Sequence, residues 1–468
     1  MEVLLVNPAQ KIPPMDFAMA FPPVPLIDLA GMIPDHHVEI LDLKVENLSK
    51  SELKKRISRF DIVALTVLTP STANALKICK IAKHSDALTV LGGAQPTLYP
   101  DLVSNPNVDI VVRGEGEITF REIVDGKDLS KIDGISYTSK KKVFHNPDRT
   151  PVEDLDALPF PRRDLLKSDR YHVFGVSLDA MDTCRGCPFK CEFCCTPHMW
   201  GQKWRAKSPE RVISEIDQVD KSKEVIFFND DNFCHDMGRV ERICDLIIEH
   251  GLNEHRYGFE ARADSIVKHP EIVRKMGEAN FQLVVLGIES AHQNTLNQMK
   301  KGVDVEQVSK AIRILNENGI MTWGTVIIGN FNETRSDVLE TIRHACRLPI
   351  DIAQFTVLTP FPGTPLHENI KDTRLLSNAK WSAYDTINPV MHTPHLSRRQ
   401  INNLLVTAYA MFYLSPGMAK RYVKWLTNPR KRWVAGMFNH ILPVTMKWGT
   451  QTAVHFAKQT LKYAVKPW

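Results

Sequence analysis

The sequence predicts an α/β protein: a doubly wound parallel sheet, then a partial (β/α)6 barrel of the TIM type, then a C-terminal helical region. Three observations predict it. Short apolar runs alternate with helix-like segments over the first 125 or so residues, and again between residues 176 and 370. Such alternation argues for parallel strands covered by helices on both faces. The proline-rich stretch Leu158-Pro159-Phe160-Pro161-Arg162-Arg163 separates the two series, and beyond residue 370 the alternation stops. The expected organisation is a sheet domain at 1–135, a connector at 136–175, a barrel at 176–370 and a helical basic region at 371–468.

In the first series the strands are Glu2–Val6, His37–Leu43, Asp61–Leu68, Ala87–Leu91 and Asp109–Val112, with helical spacing in Ser51–Ser58 and Ala73–His84. Parallel sheets of this kind bind small ligands at their C-terminal strand ends. Those ends read Asn7-Pro8-Ala9-Gln10, Thr69-Pro70-Ser71-Thr72, Gly92-Gly93-Ala94-Gln95 and Arg113-Gly114-Glu115-Gly116-Glu117. Glycines there let backbone approach a ligand closely, or simply make tight turns. The connector holds a Lys140-Lys141-Lys142 run, read as solvated surface, and a small hairpin. In the second series the strands are Val176–Asp179, Val225–Asn229, Tyr257–Glu260, Leu283–Gly287, Thr322–Ile328 and Asp351–Leu358, with helices such as Pro209–Val219 and Val305–Asn318 between them. Barrels gather their functional groups at the C-terminal strand ends.

The bulk properties narrow the class. A chain of 468 residues, 43% hydrophobic and 24% charged, has room for two to three cores. No uninterrupted apolar stretch is long enough to span a bilayer. The opening Met1-Glu2-Val3-Leu4-Leu5-Val6-Asn7-Pro8, with an acidic second residue and an early proline, reads as a strand and not as a signal peptide. A cytoplasmic protein is expected, whose nine cysteines are ligands, reactive thiols or core residues rather than disulfides.

The decisive stretch is Thr183-Cys184-Arg185-Gly186-Cys187-Pro188-Phe189-Lys190-Cys191-Glu192-Phe193-Cys194-Cys195, directly after the first barrel strand. Cys187, Cys191 and Cys194 are spaced C-x3-C-x2-C. A four-iron cluster normally takes four thiolates. Three leave one iron open, as a reactant-binding site requires. The competing reading is zinc, because Cys184-x2-Cys187 and Cys191-x2-Cys194 form two C-x2-C units. Only three residues separate them, too few for the usual zinc spacing. Cys184 and Cys195 are read as thiols beside the cluster, and Cys79, Cys234, Cys244 and Cys346 as core residues.

This segment resembles the radical S-adenosylmethionine superfamily, in particular the branch with an N-terminal, Rossmann-like cobalamin-binding domain. The resemblance extends to about residue 415. It is carried further by Pro23-Val24-Pro25-Leu26, Leu91-Gly92-Gly93, Arg113-Gly114-Glu115-Gly116-Glu117, Phe228-Asn229-Asp230-Asp231-Asn232-Phe233, Gly287-Ile288-Glu289-Ser290 and Thr359-Pro360-Phe361-Pro362-Gly363-Thr364-Pro365-Leu366. It implies a [4Fe-4S] cluster on Cys187, Cys191 and Cys194, with Phe193 packing nearby. It implies that S-adenosylmethionine is held by strand-end residues: Glu260 and Arg262 at its ammonium and carboxylate, Glu289 at its ribose, and Asp230 or Asp231 at either ligand. Pro8, Gly92, Gly93, Gly114 and Glu115 are the implied cobalamin contacts. A cytoplasmic electron donor such as flavodoxin or ferredoxin is the implied partner.

The cobalt-ligating pattern D-x-H-x-x-G is missing. Asp35-His36-His37-Val38-Glu39-Ile40 lacks its glycine and precedes the second strand, at the wrong end of the sheet. Cobalamin is therefore expected base-off, without a protein histidine on cobalt, between sheet and barrel, lined by the loop from Pro8 to Pro25 and the Gly92–Gly93 turn. A domain that has lost cobalamin is the alternative.

The resemblance implies C-methylation of an unactivated carbon: one S-adenosylmethionine methylates cobalamin, and another yields a deoxyadenosyl radical that activates the substrate. A radical cyclase or oxidative enzyme on a tetrapyrrole or isoprenoid lipid is the alternative. Methylthiotransferases carry a second cysteine cluster near the N-terminus, whereas the first 183 residues here contain only Cys79. A non-catalytic cobalamin sensor is disfavoured by the intact triplet. Charge adds one more expectation. After Asp385 there is no acidic residue, and residues 386–468 carry twelve Lys and Arg and four of the eight Trp. The net charge of +5 less those twelve leaves −7 on the body. Met418, Tyr422 and Leu426 share a helical face apart from Lys420 and Lys424. Val434, Phe438 and Ile441 repeat the pattern, as do Ala457, Leu461 and Ala464 against Lys458 and Lys462. A basic face opposite aromatic and aliphatic residues predicts a helix lying on an anionic membrane surface, the alternative being a helical cap packed on the barrel with its charges solvated, and nucleic acid a less favoured partner.

Overall fold

A computed structural model describes residues 1–10 and 19–439. The first 145 residues supply β1 (Glu2–Asn7), β2 (Met19–Ala20), β3 (His37–Asp42), β4 (Ile62–Thr66), β5 (Leu88–Gly92), β6 (Ile110–Val112), β7 (Ile135–Ser139) and β8 (Lys142–His145). All but β2 form one sheet in the order β3-β1-β4-β5-β6-β7-β8. The first five run parallel, and β7 and β8 add an antiparallel hairpin. In β1 the period of two is complete. Val3 and Leu5 face a core built by helices Val24–Met32 and Glu117–Val124, while Leu4 and Val6 face one built by helices Lys50–Ile57 and Thr72–Lys83. All four are fully buried. Burying such side chains contributes about 1.5–3 kcal/mol each, which explains why strands covered on both faces read as unbroken apolar runs.

Because β6 bonds to β7, the hairpin extends the first sheet. The boundary expected at residue 135 therefore runs through β7. The chain order of the five parallel strands is 2-1-3-4-5, whose switch point lies between β1 and β4 and marks a ligand crevice. His36 and His37 lie at the opposite, N-terminal edge. The backbone of His37 donates to Met1 O, and the His36 ring touches the N-terminal amine.

The second sheet uses β9 (His172–Val173), β10 (Val176–Met181), β13 (Val225–Phe228), β14 (Arg256–Ala261), β15 (Phe281–Glu289), β16 (Met321–Ile328) and β17 (Ile352–Val357); a separate ribbon pairs β11 (Cys184–Arg185) with β12 (Arg205–Ala206). Strands β10 and β13 to β17 are the six expected barrel strands, all parallel and in chain order. The sheet ends at β17 on one side and continues through β9 to β2 on the other, so the barrel is open. The pairing of Met19–Ala20 with β9 joins the N-terminal segment to the barrel sheet.

Helix Arg398–Tyr413 packs on β17, where Tyr409 and Tyr413 donate to Phe355 O and Ala353 O at 3.0 and 2.8 Å. Helix Pro416–Thr427 closes the opposite end of the barrel from the cysteine loop. Arg421 donates to the carbonyls of Cys346, Leu348 and Ile350. Asp351, at the start of β17, accepts from Trp425 at 2.7 Å and pairs with Lys431 at 2.8 Å. One face of this helix packs as a cap on the barrel. Met418 and Trp425 are buried against the barrel, and Val434 with them, because the start of β17 offers both an apolar surface and a carboxylate. Leu426 lies outward instead, with Leu414, Val423, Lys420 and Lys424. Ile441, Ala457, Lys458, Leu461, Lys462 and Ala464 lie outside the described residues. No helix among the described residues is long and apolar enough to cross a membrane.

Candidate functional site

The cysteine loop is held at its start by the next strand. Asp230, just past β13, accepts from Thr183 N and Cys184 N at 2.6 and 2.8 Å and from Thr183 Oγ at 2.5 Å. Both its oxygens are thus engaged within the protein, and the expectation that Asp230 meets S-adenosylmethionine gives way to a clamp on the loop. The turn into Cys187 is made by Gly186, whose φ is +84°. A Cβ there would collide with Lys203 O, so glycine is required on two counts. Further on, Glu192 N donates to Met299 O at 3.0 Å and accepts Leu366 N at its carbonyl at 3.1 Å. The short helices that follow β15 and β17, Gln293–Gln298 through its cap Met299 and Pro365–Ile370 through Leu366, therefore fix the middle of the cysteine segment. Thr196 Oγ donates to Asp231 at 2.7 Å and fixes its exit.

Cys187, Cys191 and Cys194 are half-buried free thiols on this one loop. Burial raises the Cys187 thiol and pushes Cys194 up to about 12. Such thiols release their protons to a metal, whose charge offsets the desolvation of the thiolate. Among the described residues no three His, Cys, Asp or Glu side chains converge as on a single metal ion. Three unpaired soft ligands on one fixed loop fit an iron–sulfur cluster. Phe193 packs among Met299, Leu358 and Leu366 rather than standing free. Cys184 is buried, with Sγ 3.8 Å from Asn232 O, and its thiol is raised well above the ordinary value. Cys195 is half-buried and also raised.

The other barrel positions gather beside the loop. Glu260, near the end of β14, keeps solvent access at its surface although protein closely surrounds its carboxyl. Its carboxyl is pushed up to about 7 by burial and then by the charges of Asp231 and Asp230. The Arg262 guanidinium lies 3.5 Å over the Phe189 ring and bonds Asp264 and Gly302 O. Glu289 ends β15 at a bulge, with φ +61°, a strained conformation for a side chain with a Cβ. Its carboxylate accepts from Lys301 Nζ at 2.6 Å. A Cβ on Gly287 would overlap both partners of that pair. Sequence reasoning missed Lys301; the glycine before Glu289 was its only local signal.

Across from the barrel mouth lies the ligand edge of the first sheet. Pro8 is buried at the switch point, and Gly92, Gly93 and Gly114 are partly open at the neighbouring strand ends. Gly93 has φ +96°, with Thr66 and Val67 at contact distance from a Cβ; Gly114 has φ +72° with nothing within 4 Å. Gln95 beside them is fully buried, with both amide atoms unpartnered. Open glycine backbone and a polar side chain in want of a partner fit a large, amide-rich cofactor such as cobalamin. Glu115 does not share that role. Its carboxylate accepts from Arg205 and from Val152 N, and approaches Arg185 at 3.8 Å. Arg185 also pairs with Glu117 at 2.6 Å and approaches Asp28 at 3.8 Å. Glu115 thus joins sheet to barrel. The two ligand edges also touch directly: Tyr99 lies 5.6 Å from Trp381, and Gly363 abuts Leu98.

The comparisons with known proteins agree with this geometry. Residues 181–345 match the radical SAM superfamily and residues 17–124 the B12 binding domain. An uncharacterized methyltransferase of Pyrococcus horikoshii is 37% identical over 89% of this chain and 93% of its own. The anaerobic magnesium-protoporphyrin IX monomethyl ester cyclase of Rubrivivax gelatinosus is 27% identical over 94% and 82%. Among solved structures, the cobalamin- and cluster-bound methyltransferase TsrM from Kitasatospora setae superposes with TM-score 0.72 at 19% identity, covering 95% of this chain and 99% of that one. OxsB, a cobalamin-dependent radical enzyme, gives 0.73 at 19% over 93% and 70%. The chain belongs to the radical S-adenosylmethionine superfamily, in the branch that carries a B12-binding domain. It is an enzyme whose cofactors are a [4Fe-4S] cluster, S-adenosylmethionine and cobalamin. Enzymes of this class draw electrons from a reductant such as flavodoxin or ferredoxin.

The junction between sheet and barrel has a measurable pH signature. Burial pushes Asp182 up to about 8, with Asp28 next in effect. A carboxyl whose folded value exceeds its unfolded one, 3.8 here, holds its proton more tightly in the fold. Its contribution to stability is therefore full below pH about 4 and is lost as pH rises through about 8. Asp182→Asn is expected to reduce the fall in thermal midpoint between pH 5 and pH 8. Unfolding scans at the two pH values check this, and an unchanged difference contradicts it.

Proposed function

We propose that this enzyme transfers a methyl group to an unactivated carbon by radical chemistry. The observation that carries the reading is the convergence of the cysteine loop and the glycine-lined sheet edge on one junction. The names of relatives, an uncharacterized methyltransferase at 37% identity among them, support methyl transfer. When bound, the cluster supplies the electron that cleaves S-adenosylmethionine, and cobalamin carries the methyl group. Cys187, Cys191 and Cys194 would hold the cluster, three thiolates for four irons. Glu260 offers the open carboxylate for the ammonium of S-adenosylmethionine. Arg262 fixes Phe189 and, with Lys301, sets the charge around it. Glu289, buried at its bulge and paired with Lys301, would serve the ribose side. Pro8, Gly92, Gly93 and Gly114 would line the cobalamin, and the unpartnered Gln95 amide would be available to hydrogen-bond it. On this reading residues 1–145 form the cobalamin unit and 176–370 the radical unit.

The second reading is radical cyclisation or oxidation, favoured by the cyclase names among the relatives. One experiment separates the two: anaerobic reconstitution, with mass spectrometry of extracts from a deletion strain complemented by wild type or by Cys187→Ala, Cys191→Ala or Cys194→Ala. A product one methyl heavier, seen only with wild type, is expected. A hydrogen or oxygen difference replaces methylation by the second reading. Retention of iron and visible absorbance by any single variant overturns the ligand assignment.

Cobalamin is expected base-off with no histidine on cobalt, because none of the four N-terminal strand-end loops contains one. Electron paramagnetic resonance of the cob(II)alamin form should lack nitrogen superhyperfine splitting from an axial base. Observed splitting contradicts the assignment.

Peripheral membrane attachment rests on the outward set Leu414, Val423, Leu426, Lys420 and Lys424. It predicts co-sedimentation of the full chain with anionic but not neutral vesicles at low salt. Protein left in the supernatant removes this reading.

A further inference from the structure

The segment after the barrel does more than lead to the C-terminal helices. From Lys371 it returns over the end of β17: Leu376 bridges to Met391, Ser377 N donates to Val390 O at 2.9 Å, and Val357 N donates to Thr386 O at 2.6 Å. A cleft of about 520 Å³ opens under this return, lined by His367, Lys371, Leu376, Lys380, Trp381 and Tyr384 among others. That volume is in the range of small-molecule sites, about 300–1,000 Å³.

Three features give the cleft a function. Its inner wall is tied to the cysteine loop, because Leu366 N donates to Glu192 O and Leu376 packs in the same apolar cluster as Phe193. On the other side Trp381 meets Tyr99 of the first sheet at 5.6 Å and Tyr384 at 5.1 Å, making a wall of rings. Its charge is positive. No acidic residue lines it. His367 and Lys371 share the single carboxylate of Glu368, at 3.3 and 2.6 Å. Among the described residues Lys380 has no ion-pair partner. A cation without a counter-ion beside aromatic faces suits a ligand with both a ring and an anionic group.

We propose that this cleft binds the substrate of the radical reaction, and that the substrate is an anionic, ring-bearing small molecule. The anion pairs with Lys380 and Lys371, and the ring lies against Trp381. The return segment 371–391 is then the specificity element, and Tyr99 makes the cobalamin side of the molecule part of the substrate site. The assignment of the ligand as substrate rests on the radical reading above; the binding itself does not.

The test uses the full-length, anaerobically reconstituted enzyme and two fluorescent probes of similar shape: anionic 1-anilinonaphthalene-8-sulfonate and neutral N-phenyl-1-naphthylamine. Wild type is expected to bind the anionic probe at least tenfold more tightly than the neutral one, with energy transfer from tryptophan. Lys371→Gln with Lys380→Gln should weaken the anionic probe at least tenfold and leave the neutral one within twofold. Trp381→Phe should cut the energy transfer. Circular dichroism checks the fold of each variant. Should a variant fail to fold, salt applies the same test to wild type: raising potassium chloride should weaken the anionic probe alone. Equal affinity for the two probes, or a double variant that keeps its affinity for the anion, overturns the proposal. Neither probe needs an electron donor, so failure here leaves the radical reading standing, and loss of cluster chemistry leaves a positive binding result standing.

Discussion

The molecule depends on one buried ion cluster. Arg185 and Arg205, on the short β11–β12 ribbon, reach across the junction to Glu115 and Glu117, with Asp28 close by. All five are nearly buried. Taking such charges out of water costs several kcal/mol per ion, offset only where geometry is good and each group has partners. Removing one member leaves a buried charge alone, at a cost of about 3–5 kcal/mol. Such a cluster is thus weak as glue but strict about position. Arg185 stands two residues before Cys187, so the same side chain that docks the sheet on the barrel also anchors the cysteine loop.

Position is what the proposed chemistry needs. A barrel and a doubly wound sheet each present ligands at their C-terminal strand ends. Here the two ends face one another, held by the ion cluster on one side and by the Tyr99–Trp381 and Leu98–Gly363 contacts on the other. Asp230 and Gly186 then set the path of the loop between them. Few of these residues are free to meet a ligand; most hold the backbone that does.

That division explains what could be read in the sequence. Strands buried on both faces write themselves as apolar runs, and all five parallel strands of the first sheet and all six of the barrel were legible within a few residues. The cysteine spacing was legible because its ligands sit on one local loop. Partnerships over long sequence distances were not. Glu115 lies in a glycine-rich turn that reads as a ligand loop, yet its partner is Arg205, 90 residues on. Asp230 reads as a strand-end ligand, yet it clamps Thr183. The tail helix shows an amphipathic pattern that a barrel end satisfies as well as a membrane surface, and Asp351 decides the matter for Trp425 and Lys431. Periodicity reports that a face will be covered; it does not name the cover.

The acidic side chains at the barrel mouth differ in what satisfies them. Asp230, Asp231, Glu260 and Glu289 stand near one another, and burial raises the first three. Asp230 is satisfied by loop donors, Asp231 by Thr196, and Glu289 by Lys301. Glu260 has no hydrogen-bond partner among the described residues, and repulsion from Asp231 and Asp230 adds to its desolvation. A carboxyl held near neutrality in this way gains most from a ligand that brings its own positive charge, since the cation reverses the repulsion and replaces the lost water. Arg262 and Lys301 do not fill that place, because one is engaged by Phe189, Asp264 and Gly302 and the other by Glu289. S-adenosylmethionine carries an ammonium and a sulfonium. On the proposed reading, Glu260 favours a cationic cosubstrate beside the cysteine loop, while the cleft under the return segment, with its lysines, favours an anion.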